Sequence, residues 1–242
     1  MLKSDVLHKN YPFAVRKDLI FMNKIDDGYY SWLVKAAAFD EILDMPCMKA
    51  PKRMEIPENL IPFSKTVYSA DCAEYVHFYE HDIVFRSFLN DPEPYVEKLF
   101  KFPGVITPDC SLYRDMPLVL QMANTYMSRS VGCYMQEQGM NVIPNVRWGD
   151  ERSYLPGVTD IPFSFLGIEK YGVVSVSTYG CIRGKENKRH FHDGFHSMIE
   201  FLKPEIVLIH GAMPADVFSD IPTGLRCVHY QDWTTQKRKK VG

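Results

Sequence analysis

The rhythm of apolar positions along the chain changes near residue 72. From Ala73 onward, short apolar runs (AEYVHFYE, GVITP, MNVIPNVRW, GVVSVST and EIVLIHG) alternate with stretches whose apolar residues recur every three or four positions. An uninterrupted apolar run of about four to eight residues is the mark of a strand buried on both faces, and its alternation with helical patterns is the mark of βαβ units. RCVHYQDW reads as a further strand. One helix is predicted to open near Pro92 with Tyr95, Leu99 and Phe100. A second, long one is capped by Asp115, has Pro117 in its first turn and Gly139 at its end, and carries an apolar stripe of Val119, Met122, Ala123, Tyr126, Met127 and Tyr134. A third runs from about His190 to Leu202 with Phe195, Met198, Ile199 and Leu202 on one face. The predicted fold is therefore α/β: a mainly parallel sheet of five or six strands, either an incomplete barrel or an open sheet, with βα connections.

Upstream, Pro12, Pro46, Pro51, Pro57 and Pro62 interrupt any regular pattern, and one helix is predicted, from Tyr29 to Leu43, with Trp32, Ala36, Phe39 and Leu43 at helical spacing. Residues 1–71 thus read as an irregular wrapping or capping segment, 72–233 as the α/β core, and 234–242 as a flexible tail whose Lys237, Arg238, Lys239 and Lys240 form a solvated terminus.

Composition narrows the function classes. Hydrophobic residues at 46% and charged residues at 24% of 242 describe an ordinary globular chain. A formal net charge of −2 provides no overall cationic excess for nucleic acid or anionic lipid, so such binding would need a local patch. No apolar run of about 18 residues is present to span a bilayer, and MLKSDVLHKN carries charge where a signal peptide is apolar; the expectation is a cytoplasmic protein with no membrane partner. Cys47, Cys72, Cys110, Cys133, Cys181 and Cys227 are widely spaced with no C-x-x-C pair, and read as reduced thiols.

Each predicted core strand ends in polar residues, and in a parallel sheet those ends share one edge, where α/β proteins place their ligands. Arg147-Trp148-Gly149-Asp150-Glu151 joins a guanidinium that can clamp phosphate or carboxylate to two carboxylates able to act as general base or hold a divalent metal; the structural alternative is an Arg147–Asp109 ion pair with Glu151 capping a turn. Ser177 and Thr178, ahead of Gly180 and Cys181, offer hydroxyls and backbone N–H groups to an anion. Cys181 is a nucleophile only if His210 lies beside it. Asp109, Tyr113 and Arg114 form a second polar turn. Neither G-x-x-x-x-G-K-[ST] nor G-x-G-x-x-G occurs, so the usual nucleotide-cradling loops are absent.

The runs VITPDCSLYRDMP, NTYMSRSVGCYMQEQGMNVIPNVRWGDERSY, VSVSTYGC and LKPEIVLIHG together resemble an uncharacterised domain-of-unknown-function family of bacteriophages, plasmids and their bacterial hosts, over roughly Ala73 to Gly211. The resemblance implies a mobile-element setting and, for some relatives, a replication-initiator-like role. That role would use His190-Phe191-His192 as metal ligands and Tyr126 or Tyr134 as nucleophile. The triplet is instead predicted to open a helix, where residues i and i+2 diverge by about 200°, and reads as two solvent-facing histidines.

Two functions follow. In one, the chain is a hydrolase or transferase acting on a nucleotide or nucleic-acid component: Arg147, Ser177, Thr178, Tyr113 and Arg114 bind substrate, while Asp109, Asp150, Glu151 and His210 carry acid–base chemistry or a divalent metal. In the other, the same edge captures a host protein or a signalling nucleotide without turnover.

Overall fold

In a computed structural model of the chain, residue 24 and residues 28–51, 54–69, 72–157 and 160–236 are described; the four basic residues of the tail lie outside them. The strands β3 (Leu60–Pro62), β4 (Tyr75–His77), β5 (Val105–Ile106) and β6 (Val142–Ile143) pair in parallel, as do β7 (Val173–Ser177), β8 (Ile206–His210) and β9 (Arg226–Tyr230). A parallel bridge between Asn145 and Ser175 joins the two groups, so seven strands lie side by side in chain order. Seven exceeds the five or six expected because β3 comes from the segment read as irregular. A preceding antiparallel pair, β1 (Ala38–Phe39) with β2 (Pro46–Cys47), lies apart from this sheet.

Strand residues alternate between two environments. Val76, Phe78, Val105, Val142, Val174, Val176, Val207 and Ile209 pack outward among apolar clusters that include the helices. Their neighbours Leu60, Tyr75, Ile106, Ile143, Val173, Ile206, Leu208 and Tyr230 form one inner cluster to which every strand contributes. Such sharing requires a curled sheet. Consistent with this, the ring of His210 on β8 lies 4.7 Å from that of His77 on β4, and Tyr230 Oη donates to Pro57 O just before β3.

The helices are α1 (Asp82–Asn90), a 3-10 turn (Glu93–Tyr95) leading into α2 (Val96–Leu99), α3 (Leu118–Glu137), α4 (Glu151–Tyr154), α5 (Lys185–Leu202) and α6 (Ala215–Phe218). Three expectations need correction. No helix spans Tyr29 to Leu43. Ser31–Leu33 is a single 3-10 turn, and the Asp40 carboxylate accepts the backbone N–H groups of Ile42, Leu43 and Met45, a local bonding pattern that competes with helix. Asp115 is exposed and does not cap α3; Pro117 occupies the N-cap position. The stripe expected on α3 is only partly buried: Tyr134 is buried, and Met122, Tyr126 and Met127 are half-buried. Val119 and Ala123 are exposed, whereas Gln121, Thr125, Ser128 and Arg129 are buried together with Val131 to Met135. Helix α1, with Phe85, Phe88 and Leu89 buried at helical spacing, adds to the expected helices, and α5 begins five residues before His190.

Candidate functional site

The inner face of the curled sheet turns from apolar to polar toward its C-terminal edge. Continuing the inward positions of each strand by two residues at a time, Tyr75 leads to His77 and Tyr79, Ile143 to Asn145 and Arg147, Val173 to Ser175 and Ser177, and Leu208 to His210. These residues form a buried network. Tyr79 Oη donates to Asn145 Oδ1 (3.2 Å) and shares a hydrogen bond with Ser175 Oγ (2.5 Å). Asn145 Nδ2 donates to Asp109 Oδ1 (2.8 Å), whose other oxygen accepts from Arg147 Nη1 at 3.2 Å. Above Tyr79, the His210 ring stacks at 4.6 Å and its Nδ1 meets Ser177 Oγ at 3.0 Å. Two buried nitrogens of the network, Arg147 Nε and His210 Nε2, have no partner among the described residues.

The charges respond to this enclosure. Burial pushes the Asp109 carboxyl above its ordinary range, against the pull of Arg147 and Asn145. Burial is the largest influence on Arg147 and opposes its charge, but Asp109 together with Cys181, Asp82 and Tyr113 outweighs it and the guanidinium stays protonated. His210, buried beneath the cleft, is pushed down to about 4 by desolvation and is neutral at pH 7. Cys181 is pushed up to about 11 by burial despite Arg147 and donates to the carbonyls of Ser177 and Tyr179; as a thiol bonded away from His210, it lacks the activation a nucleophile needs.

Over this network opens a cleft of about 320 Å³, walled by the loops that follow β5, β6 and β7 and by the start of α5. Arg147 and Ser177 form its floor; Tyr113, Arg114 and Asn187 stand at its sides. The loop after β5 is held by α1, since Asp82 accepts from both Ser111 N (3.2 Å) and Ser111 Oγ (2.7 Å). Gly180 and Gly184, at φ 74° and 82°, provide the left-handed turns through which the chain passes from β7 into α5.

The predicted site residues therefore divide. Arg147, Ser177, Tyr113 and Arg114 line the cleft; Asp109 holds Arg147 from behind and His210 lies beneath Ser177. Thr178 Oγ1 is committed to the carbonyls of Ala212 and His210. Asp150 caps α4, accepting from Arg152 N and the Arg152 guanidinium and from Gln121 Nε2. Despite a burial penalty, these bonds keep its carboxyl below the usual range. Glu151, in the first turn of α4, has a mostly exposed side chain 3.6 Å from His190 Nδ1. Neither acid lines the cleft. His190 is not solvent-facing as expected: it is buried inside α5, with Nδ1 2.9 Å from Tyr154 Oη.

Tyr79, Asn145 and Ser175 were missed from sequence because each sits inside an otherwise apolar strand pattern; the period-2 continuation of the inner face is the signal that finds them. Trp148 lines the cleft and is seated by Gly194 of α5, where an added Cβ would lie 2.2 Å from the indole nitrogen. Gly194→Ala is expected to cost about 2 kcal/mol by overpacking and to shift Trp148 fluorescence. A urea midpoint and emission spectrum equal to wild type would show that the indole is not held there.

Residues 37–230 match the family described as a domain of unknown function (DUF4417). The chain is 28% identical over 174 residues to the "Gene 1 protein" of Mycobacterium phage L5, covering 72% of each protein. It is 26% identical over 189 residues to the "Gene 1 protein" of Mycobacterium phage D29, covering 77% of this chain and 66% of that one. No solved structure matches. Among the described residues, no helix is long and apolar enough to cross a membrane.

Proposed function

The chain belongs to the DUF4417 family, and we propose that this phage-type protein is a binding module whose strand-end cleft captures the phosphate-bearing part of a nucleotide without turning it over. The observation that carries this reading is the state of Arg147. Its guanidinium is fixed at the cleft floor by one bond to buried Asp109, with Nε enclosed and unpartnered among protein groups. A planar fork pre-positioned in this way suits a phosphate oxygen pair. Arg114 adds a second guanidinium, and the 18-residue helix α5 turns its N-terminal end, with Asn187, toward the same space. Exposed Tyr113 offers a ring for a base, and the volume falls within the range of small-ligand sites, on the order of 300–1,000 Å³.

Capture is favoured over catalysis because the candidate acids are employed elsewhere. Asp150 and Glu151 belong to the α4 terminus, Asp109 accepts from Arg147 and Asn145 on its two oxygens, and Cys181 is a thiol. Among the described residues that line the cleft Asp115 is the one carboxylate, so there is no carboxylate pair of the kind that hydrolysis or metal-assisted transfer employs.

The test is calorimetric titration of the full chain with mono-, di-, tri- and cyclic nucleotides, followed by chromatography of the recovered ligand. At least one phosphate-bearing ligand is expected to bind, with its nucleoside failing to. Arg147→Lys, which keeps the charge beside Asp109 but loses the fork, should weaken binding about tenfold or more, and Arg114→Ala severalfold. Binding that ignores Arg147→Lys, or the absence of binding at millimolar nucleotide, overturns the reading. Recovery of a chemically altered ligand replaces capture with the enzyme.

A further inference from the structure

A second site lies on the outer face of α5, away from the cleft. His192 and His196 are one helical turn apart on that helix, with ring centroids 4.5 Å apart. Asp220, two residues after α6, reaches over both: Oδ2 is 3.0 Å from His192 Nε2 and Oδ1 is 3.1 Å from His196 Nε2. The carboxylate is placed there by the core, because Phe218 packs its ring 5.3 Å from Phe195 and 5.9 Å from Phe191. Asp193 Oδ1 lies 3.0 Å from His192 Nδ1, the other nitrogen of that ring.

We propose that His192 Nε2, His196 Nε2 and the Asp220 carboxylate bind a zinc ion. Three features support this. The two imidazole nitrogens and one carboxylate oxygen lie within 4.8 Å of one another. Ligands of a tetrahedral zinc at about 2.1 Å stand roughly 3.4 Å apart, so only small side-chain rotations separate this arrangement from a coordinating one. Asp193 stands at hydrogen-bond distance behind His192 Nδ1; with Nδ1–H donating to Asp193, Nε2 can give its lone pair to an ion on the Asp220 side, and a carboxylate behind a ligating histidine fixes its tautomer and orientation in this way. An N2O donor set with imidazoles selects zinc and its borderline neighbours over magnesium or calcium, which take oxygen ligands. With a single carboxylate and a partly exposed position, the ion would keep at least one coordination place for water or an outside ligand, while tying α5 to the connection between α6 and β9.

Zinc is titrated into the metal-stripped full chain, prepared without a histidine tag, in competition with a chromophoric chelator. Cobalt substitution reports the geometry through its visible absorption. One equivalent is expected to bind with an affinity on the order of micromolar, undisturbed by a thousandfold excess of magnesium or calcium. His192→Ala with His196→Ala should weaken it about 100-fold or more, and Asp193→Asn about tenfold. Both variants change surface side chains, so far-UV circular dichroism should match wild type; a variant that fails this check is replaced by Asp220→Asn, expected to weaken binding by tenfold or more. Wild-type zinc binding weaker than about 100 μM, or binding that survives the histidine pair and disappears on thiol alkylation, overturns the site, the latter by placing the ion on cysteines.

Discussion

Replacing Arg129 with methionine is expected to cost about 4 kcal/mol or more, a large share of the stability of a typical domain. The guanidinium is 2% exposed and has no carboxylate among its hydrogen-bond partners. Its three bonds go to main-chain carbonyls on two segments: Nε to Leu166 O (3.1 Å) and Nη2 to Ser164 O (2.9 Å) on one, and Nη1 to Asn145 O (3.1 Å) on the other. Burial lowers its pKa only to about 10, so it is charged at pH 7 and all three bonds are charge-assisted. Methionine fills much of the volume and removes the cost of burying a cation, but it strands three buried acceptors at about 1–3 kcal/mol each. Arg129→Lys should recover only part of the loss, since one ammonium cannot reach three carbonyls that the fork spans. Urea unfolding followed by far-UV circular dichroism measures both; an Arg129→Met midpoint within about 1 kcal/mol of wild type would show that water takes over the acceptors and that Arg129 is not a structural keystone.

Arg129 also explains which parts of the fold were legible in the sequence. The strands β4 to β8 were readable because each is a continuous apolar run buried on both faces, and the polar edge of the sheet was readable because polar residues end those runs. The buried face of α3 was not. Its side toward the sheet is Gln121, Thr125, Ser128 and Arg129, because it packs over β5 and β6 where main-chain and side-chain polar groups need partners: Ser128 Oγ donates to Pro108 O and Arg129 to Asn145 O. Hydrophobic periodicity points away from such a face. It found instead Met122 and Tyr126, which pack on a satellite cluster with Leu112, Phe163 and Leu166.

The candidate site was half legible for a related reason. Arg147, Ser177, Tyr113 and Arg114 stand at loop starts where their polarity is conspicuous. Asp150 and Glu151 were equally conspicuous, but their spacing matches a helix N-terminus as well as an acid–base pair, and only the bonds from Arg152 and Gln121 decide between them. Tyr79 and Ser175 were hidden because a hydroxyl inside an apolar strand declares itself only when the inner face of a curled sheet is traced across several strands.

Between pH 7 and pH 5 the protein is expected to lose about 2 kcal/mol of stability through His210 alone, approaching 3 kcal/mol at pH 4. The sign follows from the direction of the shift. Desolvation holds the folded-state pKa near 4, below the ordinary 6.5. As pH falls through 6.5 the unfolded chain takes up a proton that the folded chain refuses, so the contribution is complete above 6.5 and is lost down to about 4. His77, fully buried against His210 and also pushed well below its ordinary value, acts in the same direction. Of the other shifted groups, some act outside the window and some against it. His192, raised by Asp193 and Asp220, gains its proton above 6.5, Asp150 and Asp232, held low, lose their contributions below 3.8, and Asp109, raised by burial, regains stability as it protonates. His210→Gln separates these contributions, since it keeps a polar group beside Ser177 but cannot titrate. Measured by urea unfolding at pH 7, 6 and 5, the wild-type free energy should fall more steeply than the variant's by about 2 kcal/mol across the range. Parallel slopes would mean that the folded protein admits the proton, and that His210 Nε2 reaches a partner or water that neutralises the penalty. A steeper wild-type slope would establish a neutral imidazole beneath the cleft floor, where it adds no cation to the one Arg147 presents to a phosphate.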